Sequence, residues 1–148
     1  MKRHLASLLM VAGLVGTTAS HEDPLKKEIK RLQGKWQLVS LVHDGEVVEL
    51  AEPKNVITFK GATVSESSNK DVSEFKLNPE KKPKEMDWIG IEGRHKGETM
   101  MGIYSLEGDT LKICHSHYSK KGRPTEFASK PGSGHRLLVL KRVNSDGK

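Results

Sequence analysis

From Trp36 onward, apolar residues come in short runs separated by residues that bend a backbone. Trp36 to Val42 is the first run, and the Asp44-Gly45 that follows is a strong hairpin dipeptide. Val47 to Leu50, Val56 to Phe59, Ala62 to Glu66 and Val72 to Leu77 come next. Met86 to Ile91, Thr99 to Leu106, Thr110 to Ser116, Thr125 to Ser129 and His135 to Val143 complete the series. Gly61, Asn78-Pro79, Glu107-Gly108-Asp109, Arg123-Pro124 and Pro131-Gly132-Ser133-Gly134 punctuate it. Glycine supplies positive φ there, and proline has no N–H for a sheet ladder. Strands joined by turns this tight are antiparallel neighbours. About eight to ten strands, with a turn signal roughly every ten residues, predict an all-β sandwich or a closed up-and-down barrel. Asn78 to Lys84, rich in proline and charge, reads as a stiff polar connector.

One helix precedes the strands. Asp23 suits the N-cap, Pro24 the first helical position, and Gly34 can close the end, giving a helix over Pro24 to Gln33. Leu25, Ile29 and Leu32 make one apolar stripe against Lys26, Lys27, Lys30 and Arg31. So short a helix is marginal in water alone, so it must dock on something apolar.

Gly34-Lys35-Trp36, directly after this helix, looks like the Gly-x-Trp signature of lipocalins. In that superfamily the tryptophan closes one end of the barrel and a basic residue of the last strand packs on its ring. Lys141 or Arg142 holds the matching place, with Arg142 preferred because guanidinium planes stack well on indole. A wider resemblance runs from about Leu25 to Arg142. It rests on Leu32-Gln-Gly-Lys-Trp36 with Val39-Ser40, on Phe75-Lys-Leu-Asn-Pro79 with Lys82-Pro83-Lys84, and on Gly102 to Cys114, Arg123 to Phe127, Lys130 to Gly134 and Leu137 to Arg142. These motifs, in this order, resemble a family of small lipocalin-like domains of unknown function, abundant in planctomycete bacteria. The resemblance implies a lipocalin-like antiparallel up-and-down barrel of about eight strands behind a short helix. It brings no catalytic residue and no cofactor.

The first twenty residues have the order of an export signal: basic Lys2, Arg3 and His4, an apolar stretch from Leu5 to Val15, and small residues at Thr17 to Ser20. A membrane span needs about 20 apolar residues, roughly twice what is present. Residues 1–20 are therefore expected to be removed after Ala19 or Ser20. That leaves a barrel domain over 21–143, a polar tail over 144–148, a periplasmic or extracellular location, and no stable membrane anchor. Losing Lys2 and Arg3 takes the basic residues from 25 to 23 against 19 acidic ones, a mild excess. The excess gathers at Lys120, Lys121, Arg123, Lys130, Arg136, Lys141 and Arg142, and with aromatics at only 5% it reads as a solvated rim, not a nucleic-acid surface. Cys114 is the only cysteine, so no internal disulfide exists, and its place in an apolar run predicts burial.

Candidate chemistry is sparse. His115 and His117 stand at i and i+2, so on a strand both imidazoles point one way and could face one metal, while Cys114 points the other way. His135, His95 or Glu126 could complete such a site. Placed where the strand runs into the Ser119 to Gly122 loop, the two histidines read most simply as solvated. Ser133 is no nucleophile elbow, because its glycines are adjacent instead of two residues away. Glu85 with Asp87, and Glu107 with Asp109, lack any partner base or nucleophile. No catalytic set is complete, so no enzyme activity is expected. What remains is the barrel interior, lined by Met86, Trp88, Met100 or Met101, Ile103 or Tyr104, and Leu138 or Leu140 according to which face turns inward. Met86, Trp88, Met100, Tyr104 and Leu138 are the expected set. The function expected is non-covalent binding of a small, largely apolar ligand; the alternatives are an interaction module for another envelope protein and a metal-binding protein built on His115 and His117.

Overall fold

The computed structural model describes residue 16 and residues 20–117 and 121–144. The signal expected over 1–20, apart from Gly16 and Ser20, and the tail after Asn144 lie outside them.

Helix α1 (Pro24–Leu32) starts as its sequence dictates, with the Asp23 carboxylate accepting a hydrogen bond from the Leu25 N–H at 3.0 Å and proline in the first turn. Gln33, not Gly34, caps its C-terminus. Gly34 instead takes a φ of 110° and opens the first strand without a linker, a conformation that costs glycine least. The docked face also differs from the expected stripe. Leu25 is 37% exposed, while Glu28 is only 6% exposed and lies on the inner side with Ile29 and Leu32.

The strands are β1 (Gly34–His43), β2 (Glu46–Val47), β3 (Val56–Lys60), β4 (Thr63–Glu66), β5 (Val72–Asn78), β6 (Lys84–Glu92), β7 (Thr99–Glu107), β8 (Thr110–Ser116) and β9 (His135–Arg142). All pairings are antiparallel. The chain runs from β1 through β3 to β9 in sequence order, β2 being a two-residue flap on β1. Pairing of β1 with β9, from Trp36↔Arg142 to His43↔Arg136, closes the sheet into an eight-stranded, lipocalin-like up-and-down barrel. The expected polar connector is a hairpin loop, since Asn78 of β5 pairs directly with Glu85 of β6.

The register sorts the side chains. Met86 faces Gly102, Trp88 faces Met100, Gly102 faces His115, and Tyr104 faces Ile113. Inward positions therefore read Met86 and Trp88 on β6, Met100, Tyr104 and Leu106 on β7, Leu111, Ile113 and His115 on β8, and Arg136, Leu138 and Leu140 on β9. On β1 the ladder slips between Leu38 and Ser40. This bulge moves the inward set from Trp36 and Leu38 to Leu41, and the core packing follows.

Thr125 to Ser129, expected as a strand, is irregular, because β8 pairs directly with β9 and leaves it no ladder partner. It forms a strap across the outside of the barrel. Arg123 grips Asp87 of β6 at 2.6 and 3.1 Å and the Gly102 carbonyl of β7 at 2.7 Å; the Cys114 thiol reaches the Ala128 carbonyl at 3.5 Å; and the Ser129 hydroxyl donates to the His135 carbonyl at 2.7 Å. Under this strap Ile103 and Cys114 are buried although they face outward.

Candidate functional site: the open end of the barrel

One barrel end is sealed. Leu32 and Trp36 are fully buried there, and the Trp36 indole N–H donates to the Leu32 carbonyl at 2.8 Å. Beside them Glu28 accepts from Arg31 at 2.6 Å, from Lys84 at 3.0 Å and from the Tyr104 hydroxyl at 2.9 Å. Burial alone would raise the Glu28 pKa, but these three donors outweigh it and hold the carboxyl below its usual range. The Tyr104 phenol is pushed up, first by burial and then by the Glu28 carboxylate. Tyr104 and Met86 belong to the packed core, and neither borders the cavity at the other end. Gly102 faces inward but has no space: an added Cβ would lie 2.8 Å from the Cys114 carbonyl oxygen and 3.0 Å from the His115 Cβ.

The opposite end is open. A cavity of about 770 Å³ enters there, within the range of small-molecule sites. Leu38, Leu41, Val64, Trp88, Met100 and Leu138 form its apolar wall. Ser73, His115, His117 and Arg136 bring polar groups into it, and Glu66, Lys70, Asp71, Arg94 and His95 stand around it. Of the expected lining residues, Trp88, Met100 and Leu138 are here.

His115 corrects the expectation of a solvated pair. It is 6% exposed, because the strand carries it inward to stack on Trp88, with ring centres 6.1 Å apart and planes 29° from parallel. Its Nδ1 lies 3.2 Å from the Ser116 carbonyl, which can only accept, so Nδ1 carries the proton and Nε2 keeps its lone pair. Burial, helped by nearby Arg136, His117 and His135, lowers its pKa to about 4. His117 is half-buried just beyond β8, with His43 6.0 Å and His95 6.4 Å away between ring centres. Burial, then Arg136, His43 and His95, lowers it to about 4 as well. Both rings are neutral at pH 7.

Of the residues expected to complete a metal site, His95 lies near His117, while Glu126 and His135 stand apart, and Cys114 points the other way, as expected. Glu126 pairs with Lys130 at 2.6 Å on the exterior, Cys114 points outward under the strap, and burial pushes its thiol up. His135 faces away from the barrel interior, 3.3 Å from the Gly122 carbonyl. Among the described residues no three His, Cys, Asp or Glu side chains are arranged to hold a metal ion.

Arg136 was hidden in the late basic cluster. That cluster is no single rim: Arg123 and Arg142 are tied into ion pairs with Asp87 and Asp109, and Arg136 turns into the cavity. The alternation Arg136, Leu138, Leu140 on the strand that ends at Arg142 carries this information once the inward face is known.

No family model, curated protein or solved structure matches this chain. The chemistry of the cavity is therefore set out by its own side chains: an apolar inner wall with two inward donors, the Trp88 indole N–H and the Arg136 guanidinium, beside a neutral histidine, under a polar and charged rim.

Proposed function

We propose that the protein binds a small molecule non-covalently in the cavity at the open end of its barrel. The observation that carries this is the cavity itself. Trp88, Met100 and Leu138 form an apolar wall in a barrel whose other end is filled by Trp36, Tyr104 and Met86. Apolar area removed from water contributes about 25 cal/mol per Å², so a few hundred Å² of ligand surface suffices for micromolar affinity after association costs. The adaptable Met100 side chain suits an irregular ligand body. A fluorophore that brightens in apolar surroundings should bind with one site per chain. Ser73→Phe, which places a ring in the cavity wall, should abolish that binding without changing the urea midpoint by much. Undiminished binding in this variant would move the site elsewhere.

The reading includes export. It rests on the order of basic, apolar and small residues over 2–20 and places the binding domain in the periplasm or outside the cell. Intact mass of the protein from its own cells should begin after Ala19 or Ser20; a cytoplasmic species retaining Met1 would remove this part.

A further inference from the structure

Arg136 is a half-buried cation. Arg31 is matched with Glu28, Arg123 with Asp87 and Glu85, and Arg142 with Asp109, while Arg94 at the cavity rim is exposed. Among the described residues no carboxylate pairs with Arg136, and its Nε is fully buried without a hydrogen-bond acceptor. The Trp88 indole N–H is in the same condition, in a residue only 5% exposed. Both residues border the same cavity. Leaving a buried donor unmade is expensive, and leaving a charged one unmade more so.

The acids around the cavity are occupied. Glu66 accepts from Asn55 and Asn69, each at 3.2 Å, and Asp71 accepts from the backbone N–H of Arg94 at 2.6 Å. They stand on the β4–β5 side, whereas Arg136 enters from β9.

We infer that the cavity selects ligands carrying a single carboxylate on an apolar body, with the carboxylate held by the Arg136 guanidinium and the Trp88 indole N–H. This rests on the cavity-binding reading above. A planar guanidinium fits a carboxylate, and a charge-assisted bond is about twice as strong as a neutral one. At the rim Lys70 and Arg94 stand against Glu66 and Asp71, so Arg136 is left as the cation in excess and matches one negative charge better than two, which favours a carboxylate over a phosphate dianion. Trp88 and His115, stacked and uncharged, give the head group an aromatic floor. Met100, Leu138, Leu41 and Val64 take the apolar part.

The test uses two matched probe pairs on the full chain, read by calorimetry at pH 7: dodecanoate with dodecanol, and naphthaleneacetate with naphthaleneethanol. In at least one pair the carboxylate should bind with one site per chain, at least about tenfold tighter than its alcohol. Arg136→Met should erase that preference while the alcohol still binds with one site per chain, which also shows the cavity intact. Trp88→Phe, which keeps a ring and deletes the N–H, should reduce the preference about threefold or more. Equal binding of acid and alcohol overturns this inference and leaves the cavity reading standing. A preference that survives Arg136→Met also overturns it. Binding of none of the four probes removes both.

Discussion

The guanidinium carbon of Arg142 sits 4.2 Å from the centre of the Trp36 ring, joining the last strand to the first. The same guanidinium donates to the Arg31 carbonyl at 2.7 Å and the Gln33 carbonyl at 3.0 Å, while Trp36 itself serves the Leu32 carbonyl. Two side chains thus satisfy three of the carbonyls at the end of α1, and Gln33 serves those of Ile29 and Lys30. Trp36→Ala should cost about 3–5 kcal/mol, as for other buried aromatics. Arg142→Met keeps most of the stem but strands two carbonyls, and should cost about 1–3 kcal/mol. Urea unfolding measures both, and an unchanged midpoint for either would mean that the seal is not a unit.

Glu28 joins three donors from three elements. Glu28→Ala strips Lys84, Arg31 and Tyr104 of their shared acceptor, and because the two cations are partly solvated should destabilise by about 1–3 kcal/mol, more than Leu25→Ala on the exposed side of the same helix. Tyr104→Phe removes a single bond and should cost about 1 kcal/mol. Because the folded Glu28 pKa is lowered, its contribution is present above the unfolded value, near 4.3, and is lost as pH falls through the folded one. A Glu28→Ala penalty that is the same at pH 7 and pH 3 would contradict this.

His115 titrates in another window. Its folded pKa is about 4 against about 6.5 when unfolded, so between those values the unfolded chain binds the proton and the folded chain does not. Stability therefore falls as pH drops from about 6.5 to about 4, by at most about 3 kcal/mol from this residue. His117 shifts in the same direction and adds a smaller, solvent-screened share. Urea midpoints at pH 7 and pH 4.5 should differ clearly in the wild type and less in His115→Gln.

At Gly102 the β7 backbone lies too close to β8 to admit a side chain. Gly102→Ala should destabilise by about 1–3 kcal/mol and leave ligand affinity unchanged in the folded fraction. Thermal melting beside a binding titration separates the two. A variant as stable as the wild type would place free space where the structure has none.

Much of the barrel was legible because its strands announce themselves by turn chemistry. Asp44-Gly45 and Glu107-Gly108-Asp109 mark hairpins, and Gly34-Lys35-Trp36 marks where the helix hands over to the first strand. What the pattern could not supply was side-chain direction. Met100 and Met101, or Tyr104 and Ile103, are equivalent until a register exists, and the slip at Val39 reverses the inward set within β1 itself. Cys114 and Ile103 look like core but are buried under a strap whose residues mimic a strand. Arg136 stayed hidden for a related reason: a charge among charges reads as surface unless the face it occupies is known. Tyr104 reads from the sequence as a cavity residue for want of one fact, that Glu28 turns inward to meet its hydroxyl.

The pairing of β1 with β9 has a consequence for how the molecule comes together. Every other neighbour in the barrel is also a neighbour in sequence, so most of the sheet can zip up locally and early. The seam cannot, because it needs the last eight-residue strand while its partner opened the domain. Until β9 arrives, Trp36 and Leu38 face water along an unpaired edge that any other extended chain could occupy. The closing strand is therefore the clasp of the assembly, and a chain that stopped before His135 would be left not slightly loosened but sticky, inviting chaperones and its own copies.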